Sequence, residues 1–274
     1  MMNYIYTIFS IVKEAFQYNR FSWFRRIIIS YNLIRFYFLS KFSSSSNQLV
    51  NIHVNGYKVY GYSYSTLIIL YRDIFLKELY HFSSTKAAPF IIDCGANIGM
   101  SILYFKYLYP QARIIAFEPN PHSFQILEMN IKINQLSDIT LYNKALSDVN
   151  GSIDFYLPSY KGSLNGSLLS DYIEGDKIQV AAAKLSSYLK NCKVDFVKMD
   201  IEGAENMVIK DLYEHDLLNN IDDIKLEYHQ LSEDETLKHT LISYFESKGF
   251  LYEILEHDLG INNPCNFIIR FQQL

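Results

Sequence analysis

The chain has 274 residues, 49% of them hydrophobic and 20% charged, which suits one enzyme-sized core with an appendage and excludes a disordered or collagen-like chain. Three cysteines, Cys94, Cys192 and Cys265, stand far apart without metal-ligand spacing, so a reduced, cytoplasmic chain is expected. The net charge of −4 is unevenly spread: residues 1–48 hold six basic residues against Glu14, a net +5, which leaves −9 for the rest. A body that negative is a poor partner for nucleic acid.

Up to Phe42 the sequence has no Gly or Pro and reads as helical, basic and aromatic. Its longest uncharged apolar run, Met1 to Val12, is too short to span a bilayer, and Phe21 to Leu39 is interrupted by Arg25, Arg26 and Arg35. Neither a spanning helix nor a signal peptide is expected. Two readings stay open: a helical piece packed on the body or on a second copy, and a helix lying on a membrane surface. Ser43 to Ser46 marks a boundary, giving an N-terminal segment 1–48 and a main domain 49–274.

Val50 to Tyr64 alternates around Asn55-Gly56, a hairpin signal. Tyr60, Tyr62 and Tyr64 share one face, either half-buried or offered to a ring, and a helix is expected over 66–80. From Pro89 the pattern becomes strand, turn, helix, repeated. Strands are expected at 90–92, 113–117, 139–146, 151–157, 194–199, 224–228, 250–256 and 265–271. Helices are expected at 98–109, 121–133, 203–218 and 233–248, and a long surface loop at 158–176. This alternation predicts an α/β fold, a mostly parallel sheet with helices on both faces.

In such a sheet ligands bind beyond the carboxyl ends of the strands. The first strand runs into Asp93-Cys94-Gly95-Ala96-Asn97-Ile98-Gly99, a tight turn opening a helix. Its spacing lacks the middle glycine of a dinucleotide fingerprint, which argues against a pyrophosphate cradle and for a ligand without phosphates, such as S-adenosylmethionine. Asp93 could serve that ligand's ammonium group. Glu118 ends the second strand, nineteen residues after Gly99, where one carboxylate can meet both hydroxyls of a ribose.

These stretches resemble the FkbM methyltransferase family. The similarity rests on Ile91 to Gly99, Ala116 to Pro121, Asn130 and Asn134, Asn143 to Asp148, and Lys198-Met199-Asp200-Ile201-Glu202-Gly203-Ala204-Glu205, which is similar to the family's K-x-D-x-E-G-x-E. Lys184 to Leu189 departs from the family's T-L-D-x-L. The resemblance implies a Rossmann-like methyltransferase sheet and S-adenosylmethionine-dependent O-methylation of a hydroxyl on a glycan, glycolipid or related natural product. Asp93, Gly95, Asn97, Gly99, Glu118, Asn143 and Asp148 would then hold the cofactor.

Asp200, Glu202, His229 and Lys198 are the catalytic candidates, with Asp200 or His229 as base. Glu202 and Glu205 read as structural or substrate-orienting. His229 also reads as an ordinary surface histidine, and Lys198 as a salt-bridge lysine pointing away from Asp200. Carboxylates 200, 202 and 227 could gather a divalent ion, but no His or Cys spacing supports one and none is expected. His53, His81, His122, His215, His239 and His257 read as structural or surface residues. Peripheral membrane contact through residues 1–48, a homo-oligomer, and a catalytically idle binding module built on the same fold remain as alternatives.

Overall fold

The computed structural model describes residues 2–17, 21–42, 49–158, 168, 175–190, 192–230, 235–255 and 266–273. The serine boundary, nearly all of the 158–176 loop, Cys265 and His257 lie outside the described residues.

Two helices come first, α1 (Met2–Gln17) and α2 (Trp23–Phe42), matching the unbroken helical pattern. Helix α2 buries Ile29, Leu33 and Phe36 in a cluster shared with Ile52, Tyr71 and Phe75. The hairpin β1 (Val50–Val54) and β2 (Tyr57–Gly61) turns on Asn55 and Gly56, both at positive φ, as a two-residue loop that follows strand twist requires. Tyr60, Tyr62 and Tyr64 are half-buried against the core. The helix expected over 66–80 is α3 (Tyr64–Tyr71), running into a π-helical turn at Arg72–Leu76.

The main sheet has seven strands in the order β11-β12-β10-β9-β3-β4-β5. They are β3 (Phe90–Cys94), β4 (Arg113–Phe117), β5 (Ile139–Tyr142), β9 (Phe196–Met199), β10 (Asp223–His229), β11 (Leu251–Leu255) and β12 (Asn266–Gln272). All neighbours are parallel except β12, which is antiparallel to both β10 and β11. The chain steps outward from β3 to β4 and β5, then returns to β9 on the other side of β3. That reversal opens a crevice at the carboxyl ends of β3 and β9.

Alternating strand residues feed two cores. Ile91, Ile114 and Phe196 enter the one shared with α4 (Met100–Leu108) and α5 (Pro121–Ile133). Ile92, Val197 and Ile224 enter the one shared with the short α6 (Ser186–Leu189), α7 (Glu205–Glu214) and α8 (Thr236–Glu246). Helices therefore cover both faces.

Three elements differ from expectation. The run 139–146 divides, because β6 (Ala145–Leu146) leaves the main sheet for a smaller one with β7 (Gly151–Pro158) and β8 (Gly175–Ala183). Strand β8 was not anticipated; three consecutive alanines are weak strand formers and masked the alternation Lys177-Ile178-Gln179-Val180. Helix α7 is shorter than the expected 203–218.

The paired asparagines have a structural use. Asn130 accepts from Tyr60 N at 2.8 Å and donates to Tyr60 O at 3.0 Å and Ile98 O at 2.8 Å. Asn134 accepts from Lys58 N at 2.9 Å and donates to Lys58 O at 2.8 Å. Four residues apart, one on the last turns of α5 and the other its C-cap, they match two outward-facing positions of β2 and cover its edge as another strand would. Asn130 is fully buried, so Asn130→Ala leaves three backbone groups without their partner. A destabilisation of about 3 kcal/mol is expected, lowering Tm by roughly 6–12 °C in a thermal melt. A loss below about 1 kcal/mol would mean the hairpin docks without it.

Candidate active site

The glycine turn is built against the turn that follows β9. Gly95 N and Ala96 N donate to Phe117 O, and Asp200 N donates to Cys94 O at 3.0 Å. Gly95 sits at φ +87°, and a Cβ placed there would lie 1.8 Å from the Asp200 carbonyl oxygen. Only glycine lets these turns meet. Gly99, also left-handed, caps α4 against Leu127 and supports the turn without lining the crevice.

Glu118 follows β4 and faces the crevice. One carboxylate oxygen accepts from Asn97 N and the other from Asn120 N, each at 2.8 Å. Each oxygen keeps a second lone pair for a ligand hydroxyl. Burial pushes the Glu118 carboxyl up to about 7, against the pull of those two N–H donors. Asn143 Nδ2 donates to the carbonyls of Glu118 at 2.8 Å and Pro119 at 3.1 Å, so it shapes the acid's loop from outside the crevice.

The crevice is open to solvent, and the space in and before it amounts to about 610 Å³. Gly95, Asn97, Glu118, Asp200 and Glu202 line it on the polar side, and Phe117, Leu146, Phe155 and Leu168 supply apolar wall. A carboxylate with free lone pairs, a flat apolar surface and further carboxylates nearby suit a ribose, an adenine and a cationic centre, so the residues fit S-adenosylmethionine.

Besides Gly99 and Asn143, two more of the expected cofactor residues lie outside the crevice. Asp148 is exposed and accepts from the Ser147 hydroxyl, because the chain there turns away into the smaller sheet. Asp93 is fully buried beneath the turn, where it accepts from Ser101 Oγ and pairs with Lys198 at 3.4 Å. Burial raises its carboxyl despite the lysine beside it.

Lys198 also corrects an expectation. It does not point away from Asp200: its Nζ lies 3.5 Å from Asp200 Oδ2, since residues two apart on a strand share a face. It also donates to Gly95 O. Burial acts to lower its ammonium, yet Asp93, Asp200 and Glu227 around it hold it above its usual value.

His229, at the end of β10, is buried rather than superficial. Its Nδ1 lies 2.9 Å from Glu205 Oε1 and its Nε2 3.2 Å from Glu202 Oε2. Burial opposes its charge, but the two glutamates win and raise it well above 6.5. Burial pushes Glu202 up to about 8 and Glu227 up to about 7. Glu205, fully buried, also accepts from Gly203 N at 3.1 Å and so ties the turn after β9 to β10.

Tyr80 was not anticipated. Its hydroxyl sits 3.4 Å from Asp200 Oδ2 and 3.2 Å from Glu227 Oε2, between the two carboxylates. Lys225 Nζ holds the preceding carbonyl, Leu79 O, at 3.0 Å, and Glu78 bonds Arg25 of α2 at 2.7 Å. Nothing near Tyr80 in sequence marks it, since its partners lie more than a hundred residues away.

Asp200, Glu227 and His229 each offer an atom within 4.8 Å of the others, a spacing that can hold a metal ion. Here the Tyr80 hydroxyl and the Lys198 ammonium already give the two carboxylates a donor and a counter-charge. His53 and His239 are exposed, while His81 and His215 bond locally to Tyr104 OH and Asp211 O.

Residues 93–252 match the family model described as the methyltransferase FkbM domain. Methyltransferase sdnD of Sordaria araneosa is 31% identical over 186 residues, covering 56% of this chain and 72% of that protein. Methyltransferase 1 of Beauveria bassiana (strain ARSEF 2860) is 28% identical over 211 residues, covering 69% and 83%. The 2-O-methyltransferase NoeI of Sinorhizobium fredii (strain NBRC 101917 / NGR234) is 32% identical over 142 residues, covering 45% and 57%.

Proposed function

The chain belongs to the FkbM methyltransferase family and is a methyltransferase that uses S-adenosylmethionine; from that premise we propose that it methylates a hydroxyl of a glycan, glycolipid or related natural product, with Asp200 as the base. The observation that carries this reading is the setting of Asp200. It stands one residue beyond β9, open to the crevice, with Lys198 and Tyr80 fixing one of its carboxylate oxygens. The name of NoeI, an O-methyltransferase, agrees with an oxygen acceptor.

When bound, S-adenosylmethionine supplies a methyl carbon made electrophilic by a positive sulfur. The chain must align an acceptor oxygen with that carbon, keep water out and take one proton. Alignment contributes roughly 7–11 kcal/mol, and a positioned base about 10²–10⁴-fold. Glu118 would hold the ribose hydroxyls, with the Gly95–Asn97 backbone beside it. Asp200 would accept the acceptor's proton. His229, held charged between Glu202 and Glu205, would orient rather than abstract. Catalysis is assigned to residues 49–274.

Affinity for S-adenosylmethionine should depend on pH. Glu118 accepts two hydroxyls only when ionised, and its carboxyl lies at about 7 in the cofactor-free protein. Binding is therefore expected to strengthen as pH rises from about 6 to about 8, and to fall up to roughly tenfold per unit below 7. Ionisation of Glu202 and Glu227 favours a cationic ligand in the same direction. Calorimetry across that range checks it, and a flat profile would contradict the assignment of Glu118.

The acceptor class is tested with deuteromethyl-labelled S-adenosylmethionine and extracted cell-envelope glycans and lipids. Mass spectrometry should find the label on a hydroxyl of a glycan or glycolipid fraction. Cofactor bound but no label in any hydroxyl-bearing fraction would sink the proposal and favour an idle binding module.

A further inference from the structure

Helix α2 is fixed to the body by one face and bare on the other. Ile29, Leu33 and Phe36 are buried, whereas Trp23, Phe24, Ile27, Ile28 and Tyr31 are exposed, Trp23 at 70% and Tyr31 at 63%. Their spacing of one, four, five and eight residues places them on a single stripe. On α1, Tyr6, Phe9 and Phe16 are exposed at helical spacing with Lys13 among them. Scattered apolar residues are ordinary on a surface, but a contiguous aromatic stripe marks a contact.

From this face we infer that α1 and α2 dock the protein on an anionic lipid surface. Charge selects that occupant. Residues 1–48 carry a net +5. Arg25 is taken up by Glu78 of the body as Glu14 is by Arg72, each at 2.7 Å, and Arg26 bonds the carbonyls of Phe16 and Phe21, while Lys13 and Lys41 stay exposed on the two helices. A second copy seated symmetrically would press one basic segment against the other. Anionic headgroups complement it, and Trp, Tyr and Phe beside Lys and Arg are the side chains that settle at the boundary of headgroup and acyl chain. Among the described residues no helix is long and apolar enough to cross a membrane, so the contact is peripheral. The inference does not depend on which acceptor is methylated.

Trp23 is the chain's one tryptophan, so its emission reports on this face alone. The full chain is mixed with vesicles of phosphatidylcholine, or of phosphatidylcholine with phosphatidylglycerol, and followed by fluorescence and flotation. A blue shift and co-flotation with the anionic vesicles are expected, at least about tenfold weaker with neutral vesicles and in raised salt. Phe24→Glu with Ile27→Glu keeps the reporter and should abolish both signals. These positions are exposed, so the variant should melt with the wild type and bind S-adenosylmethionine unchanged. Lys13→Glu should weaken binding without abolishing it. Absence of shift and flotation with anionic vesicles overturns the inference, and equal flotation with neutral ones overturns the anionic assignment. A blue shift that grows with protein concentration in lipid-free buffer, with a dimer mass lost in the double variant, assigns the face to a second copy and overturns it too.

Discussion

Asp200→Asn is expected to lower kcat by about 10²–10⁴-fold, the contribution of a positioned base, while calorimetry finds S-adenosylmethionine still bound. The amide keeps the shape of the carboxylate, and its oxygen can still meet the Tyr80 hydroxyl and the Lys198 ammonium. It cannot take the acceptor's proton. Removing one negative charge also leaves Lys198 facing Asp93 and Glu227 without its third counter-ion, so some change in affinity is expected. His229→Gln is the necessary comparison. With its imidazole held charged by Glu205 and Glu202, His229 has no free lone pair to act as base. Its loss should loosen the turn after β9 and raise KM for the acceptor more than it lowers kcat. Turnover by Asp200→Asn within about threefold of wild type, with collapse in His229→Gln, would move the base to His229.

What the sequence revealed of this site follows the range of the forces involved. The turn from Asp93 to Gly99 and the acid at Glu118 were legible because each answers a local demand. A left-handed glycine is needed where a strand turns into a helix, and a carboxylate must follow the next strand at fixed spacing. The parallel sheet was legible for the same reason, since strand and helix periods alternate along the chain. Lys198 was misread although the strand period alone puts it on the side of Asp200; what the sequence did not carry is the register of β9 against β3, which sets Asp93 beside it. Asp148 was expected at the cofactor from the family resemblance, but the strand before it belongs to another sheet. Tyr80 left no trace, as its meaning arises only when β9 and β10 bring Asp200 and Glu227 to it.

Gly95→Ala should be strongly disruptive for a single added methyl, and its cost separates into two parts. The first is conformational: at φ +87° an alanine is strained by about 1 kcal/mol wherever it stands. Gly249→Ala isolates that part, because Gly249 has φ +82° and open space within 4 Å of an added Cβ. The second part is contact. At Gly95 the methyl would meet the Asp200 carbonyl at 1.8 Å, far inside any tolerable separation, and the obstacle is backbone, which cannot rotate aside as a side chain would. Either the glycine turn lifts from β9 or the Asp200 turn is pushed away, carrying the base with it. Overpacking of this kind costs about 1–3 kcal/mol beyond the strain, so Tm should fall by roughly 4–16 °C in Gly95→Ala and by roughly 2–4 °C in Gly249→Ala. Transfer should be lost in Gly95→Ala even at temperatures where the variant stays folded, because the bond from Asp200 N to Cys94 O holds the two turns in one unit. Equal melting shifts in the two variants, with transfer retained in both, would show that the Asp200 turn yields freely and that its close packing on Gly95 does not set the position of the base.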